Sequence, residues 1–129
     1  MYSILTFNKN KINMETLIKI TKREEGDILI FTFAGELDET NADNTFKDIY
    51  EQIGSFENKK IIFNMSELKY LNSKSIGYIA DVFSNIEDTE WEMYISNCDE
   101  GVKDVLELVW ITTIIPTVDT EEEALSELK

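Results

Sequence analysis

The chain has 129 residues, with 12 basic and 26 acidic side chains, one cysteine and no histidine, giving a net charge of −14. This length suits one domain with a sizeable core, while the missing histidine and the lone Cys98 remove the usual parts of zinc sites, hydrolase triads and internal disulfides. Acidity is concentrated C-terminally, with eight basic and eleven acidic residues through Lys60 and four against fifteen beyond it, a field that repels nucleic acid and anionic lipid and attracts basic protein surfaces. No enzyme, metal or cofactor is expected.

Residues 1–13, whose early part alternates weakly, read as an N-terminal extension or an extra edge strand ahead of a domain over 14–129. Asn8-Lys9-Asn10-Lys11 breaks any signal-peptide pattern, and no stretch reaches the ~20 apolar residues of a membrane helix, so a cytoplasmic chain is expected. Met14–Arg23 and Asp27–Ala34, rich in Ile, Leu, Phe and Thr, flank Glu24-Glu25-Gly26 and predict an antiparallel hairpin. Ala42, Phe46, Ile49, Tyr50 and Ile53 mark a helical face, with Thr40 as N-cap and Gly54 closing it.

A strand at 60–65 follows, carrying the apolar run from Ile61 to Met65, then a short loop and a helix over about 74–87 with Ile76, Ile79, Ala80, Phe83 and Ile86 on its inner face. A strand at Trp91–Ser96 leads to a helix at 101–109 burying Val102, Val105, Leu106 and Val109. Trp110–Ile115 reads as a last strand stopped by Pro116, and Thr120-Glu121-Glu122-Glu123 as the capping box of a closing helix through Leu128. This alternation predicts one α/β domain: a mixed, mostly parallel sheet of four to six strands, joined by right-handed crossovers, with four helices. Periodicity does not say whether the helices cover one face or both.

Two junctions carry the functional signal. Gly35-Glu36-Leu37-Asp38 joins a strand to a helix, where glycine can take positive φ and Glu36 and Asp38 can line a partner surface. At Tyr70-Leu71-Asn72-Ser73-Lys74-Ser75-Ile76-Gly77, Asn72 and Ser73 can each accept bonds from the first helical amides, so one caps and the other stays exposed. Ser75 and Gly77 keep that turn slim. A phosphate on Ser73 would add about −1.5 to −2 charges where the helix dipole tolerates them, with Lys74 as a counter-charge, while a partner covering the spot would have to desolvate a dianion. Tyr70, Tyr78, Trp91 and Trp110 are candidate docking aromatics, although such spacing more often marks core.

In this order and on these elements, the two junctions resemble the STAS family, the fold of bacterial anti-sigma factor antagonists, over about residues 15–128. Gly35-Glu36-Leu37-Asp38 matches its early signature, and Ser73 falls on the family's phosphorylated serine. Asn72, Lys74 and Ser75 depart from its acidic, hydroxyl and glycine positions, which reverses the charge around the hydroxyl. The resemblance implies partner switching: binding to an anti-sigma factor that is also a serine kinase, with release on phosphorylation of Ser73 and a serine phosphatase as the opposing enzyme. Glu36, Asp38, Asn72, Ser73, Lys74, Ser75 and Tyr78 would form the partner surface of a monomer or weak homodimer. Two other functions stay open, a constitutive scaffold in which Ser73 only caps its helix, and a module binding a small ligand or anion at that helix mouth.

Overall fold

The computed structural model describes residues 17–57, 59–87 and 92–129 and the backbone of residues 2–7. One six-stranded sheet, whose spatial order equals its chain order, holds β1 (Tyr2–Phe7), β2 (Ile18–Glu25), β3 (Ile28–Leu37), β4 (Lys60–Leu71), β5 (Met93–Ser96) and β6 (Thr117–Val118). The first three strands are antiparallel neighbours, and β3 to β6 run parallel. The helices are α1 (Ala42–Ile53), α2 (Ser73–Glu87), α3 (Glu100–Leu108) and α4 (Glu121–Leu128). The mixed, mostly parallel α/β sheet with four helices is therefore present. Met14 and Trp91, expected in strands, lie outside the described residues.

The helices cover both faces, unevenly. On one side Phe31, Phe33, Phe63, Met65 and Ile95 pack under Phe46 and Ile49 of α1, Ile79 and Val82 of α2, and Val102 and Leu106 of α3. Fully burying each such side chain contributes roughly 1.5–3 kcal/mol, and the Phe33 and Phe63 rings meet edge to face at 5.0 Å. On the other side, among the described residues, Ala124 and Leu128 of α4 cover Ile28, Ile30 and Ile62, with Leu125, Tyr94 and Val118 packed partly buried beside them. Alternate residues of β4 thus face two cores, which is why Ile61, Ile62, Phe63 and Met65 are all buried, while the one polar residue of the run, Asn64, donates to Glu121 of α4. The α4 cap forms as expected, the Thr120 hydroxyl accepting from the Glu123 N–H at 3.1 Å, and Glu121 holds the helix to the sheet through Arg23 and Asn64. The half-buried Cys98 has its thiol pushed up to about 11 by burial.

Four expectations are corrected. The strand at 60–65 runs on to Leu71, so no loop separates it from α2. Asn41 rather than Thr40 stands at the start of α1, because Thr40 turns back and donates both its N–H and its hydroxyl to Asp38 Oδ1, at 2.9 and 2.6 Å. The segment 110–115 is not a strand: Ile111–Thr113 form a 3-10 turn, and the amides of Ile114 and Ile115 bond the Ile111 carbonyl at 3.0 and 2.8 Å, leaving nothing for a ladder. Pairing starts after Pro116, whose carbonyl accepts from the Ile95 N–H at 2.9 Å. Val109, placed on the buried face of α3, is exposed.

Candidate functional site

The two junctions are neighbours in space because β3 and β4 are adjacent and parallel. Glu36 pairs with Tyr70 and Leu37 with Leu71 at the carboxyl ends of the strands, and the Asn72 N–H bonds the Leu37 carbonyl at 3.2 Å. Parallel strands followed by helices on one face set the first turns of α1 and α2 side by side. Gly35 makes the early junction possible. Its φ is +120°, and a Cβ there would lie 2.5 Å from the Leu17 carbonyl oxygen, so only a residue without a side chain lets β2 approach. Beyond it the Asn41 amide donates to the Glu36 carbonyl at 2.9 Å and its oxygen accepts from the Asp38 N–H at 3.0 Å, which fixes the loop carrying Glu36 and Asp38.

At the second junction Asn72 caps α2. Its side-chain oxygen accepts from the Ser75 N–H at 2.9 Å and from the Ser75 hydroxyl at 2.7 Å. Ser75, expected on the partner surface, is fully buried and serves this cap instead. Ser73 is left exposed at the first helical position, and among the described residues its hydroxyl has no hydrogen-bond partner.

Lys74 turns away toward α1, where its ammonium meets Asp43 at 3.0 Å, and the Tyr78 hydroxyl donates to the same carboxylate at 2.5 Å. The Tyr78 hydroxyl and then Lys74 hold the Asp43 carboxyl below its ordinary value, while Asp43 raises Lys74 and Tyr78. Tyr78 also stacks on Phe46, ring centroids 4.9 Å apart. One turn on, the Tyr50 hydroxyl donates to Asp81, and burial, helped by that bond, raises the Tyr50 phenol. Tyr50, Lys74, Gly77, Tyr78 and Asp81 line a shallow depression of about 440 Å³ beside Ser73.

Six of the seven expected surface residues, Glu36, Asp38, Asn72, Ser73, Lys74 and Tyr78, therefore gather at one end of the domain, with Tyr70 half exposed beside them. Asp43, Tyr50 and Asp81 were missed. The one signal that could have found Asp43 is topological, since consecutive parallel units bring their helix starts together. No group of metal-binding side chains occurs among the described residues, and none of their helices is long and apolar enough to cross a membrane.

The STAS domain family model matches residues 19–124. An anti-sigma F factor antagonist of Paenibacillus polymyxa is 25% identical over 112 residues, which cover 87% of this chain and 96% of that protein. Solved structures share the fold, two of them as follows. An anti-sigma-factor antagonist (STAS) domain protein from Planctomyces limnophilus superposes with a TM-score of 0.75 at 15% identity, over 84% of this chain and 97% of the other. The Bacillus cell fate determinant SpoIIAA in its phosphorylated form gives 0.62 at 18% identity, over 85% and 99%. Because the matched span runs from β2 into α4 and takes in both junctions, this chain belongs to the STAS domain family.

Proposed function

We propose that this chain is an anti-sigma factor antagonist, a protein-interaction module without catalytic activity that docks onto an anti-sigma factor through the end of the domain bearing Glu36, Asp38, Asn72, Ser73, Lys74 and Tyr78. Phosphorylation of Ser73 by the serine kinase activity of that partner ends the contact, and a serine phosphatase restores it, in the cytoplasm. The observation that carries this reading is the division of labour at the start of α2: Asn72 holds the cap, so the Ser73 hydroxyl is exposed and, among the described residues, unengaged. The name of the Paenibacillus relative and the phosphorylated state of SpoIIAA support it.

The chemistry of release is electrostatic. A dianion at the first turn of α2 is tolerated by the helix dipole, and Lys74, held by Asp43, does not neutralise it. A partner seated there must bury it uncompensated, at about 2 kcal/mol or more, which is about thirtyfold or more in affinity. To test this, the partner is recovered from cell extract with the wild-type chain and identified by mass spectrometry, and its Kd is measured for wild type, Ser73→Ala and Ser73→Glu. The reading requires an anti-sigma factor that transfers phosphate to Ser73, with Ser73→Ala binding like wild type and Ser73→Glu at least about thirtyfold weaker. Equal binding by wild type and Ser73→Glu refutes it.

A further inference from the structure

The end of α3 breaks two local rules at once. Trp110 has φ +66°, in the left-handed region that terminates helices and that glycine or asparagine ordinarily fills, because a bulky L side chain is strained there. Its N–H bonds the Glu107 carbonyl at 3.1 Å, so it acts as the terminating residue of the helix. Glycine would do this without strain, and the indole gives the core nothing in return, being 70% exposed. Leu108, 79% exposed, and Val109 and Ile114 face solvent beside it. Among the described residues, the other large exposed hydrophobics are Leu17 and Tyr70 alone. Strain kept at an exposed aromatic amid clustered apolar side chains is how a binding surface departs from what folding alone would select.

The border of the patch is acidic. Asp104 and Glu107 line, with Leu108, a depression of about 420 Å³, and among the described residues neither carboxylate is in an ion pair. An occupant must therefore bring apolar side chains for the centre and cations for the edge. A second copy of this chain fits poorly, since a two-fold contact would set each acidic border against its own image in a chain of net charge −14. The patch is also remote from Ser73: α3 begins beyond the carboxyl end of β5 and runs back, so its last turn lies at the opposite end of the strands.

We propose that Leu108, Val109, Trp110 and Ile114 form a second docking surface, taking an amphipathic helix of another protein whose apolar stripe is flanked by lysine or arginine. The aromatic anchor supplies most of the affinity and the acidic border supplies orientation.

Short random peptides on phage are selected against the wild-type chain, and Kd values of the enriched peptides are measured by fluorescence anisotropy. The surface selects apolar residues at three- and four-residue spacing with basic neighbours, and added salt weakens their binding. Trp110→Gly and Leu108→Ser each weaken it by about tenfold or more. Trp110→Gly decides the matter, because it removes the ring and relieves the left-handed strain together: Tm stays level or rises while binding is lost. Ser73→Glu leaves the peptide Kd unchanged. The proposal is overturned by failure to enrich such peptides, by equal binding to Trp110→Gly, by a lower Tm for that variant, or by a Ser73→Glu loss of similar size. A wild-type dimer that Trp110→Gly converts to monomer in light scattering overturns it as well.

Discussion

Replacing Asn72 and replacing Ser73, adjacent residues at one helix start, should have very different consequences. Asn72→Ala removes the cap of α2, at about 1 kcal/mol, and strips the fully buried Ser75 hydroxyl of the acceptor it holds at 2.7 Å, which adds roughly 1–3 kcal/mol. The sum is about 2–4 kcal/mol. For 129 residues the unfolding entropy is about 0.27 kcal/mol/K, so Tm falls by roughly 7–15 °C. Ser73→Ala deletes an exposed hydroxyl without a partner among the described residues and stays within about 0.5 kcal/mol, under roughly 2 °C. Thermal and urea unfolding followed by circular dichroism measure both. The double variant Asn72→Ala, Ser75→Ala is more stable than Asn72→Ala alone by about 1 kcal/mol, because the orphaned hydroxyl goes with the cap. Equal losses in Asn72→Ala and Ser73→Ala would refute the reasoning, since Ser73 would then share the capping, and so would a double variant less stable than Asn72→Ala.

Gly35→Ala forces a Cβ toward a backbone oxygen 2.5 Å away at φ +120°; it lowers stability by about 2–5 kcal/mol, and a loss under about 1 kcal/mol in urea unfolding would show that β2 can yield. Asp43, whose carboxyl is held below its ordinary value, contributes stability that is present above its unfolded-state value and lost as pH falls through the lower folded one. Its side-chain carbon in an NMR titration should therefore show a midpoint below 3.8, and a midpoint at or above that value in the wild type, or an unchanged one in Tyr78→Phe, contradicts the assignment.

Most of the fold was legible because its elements obey clean periods. α1 buries Ala42, Phe46, Ile49 and Ile53 at helical spacing, and Gly54 closes it at φ +70°. The extension of β4 was hidden because Leu68 and Leu71 are buried three residues apart between exposed neighbours, a spacing that register shifts against β3 permit and plain alternation does not. The run after Trp110 misled in the opposite sense. Its β-branched composition reads as a strand, yet only Ile111 and Ile115 reach the core, one turn apart. At the candidate site, local chemistry foretold a capping residue and a free one at Asn72 and Ser73, while the bonds from Lys74 and Tyr78 to Asp43 depend on which helices the crossovers bring together, and no single stretch of sequence holds that information.

Those bonds brace the mouth of α2 against the neighbouring helix. Asp43 fastens Lys74 and Tyr78 to the neighbouring helix, Asp81 fastens Tyr50 one turn further along, and the Phe46–Tyr78 stack fills the space between. On the function proposed above, a phosphate at Ser73 would be added to a surface braced between two helices, and a visiting protein would sense it as a step in local potential more than as a change of relief.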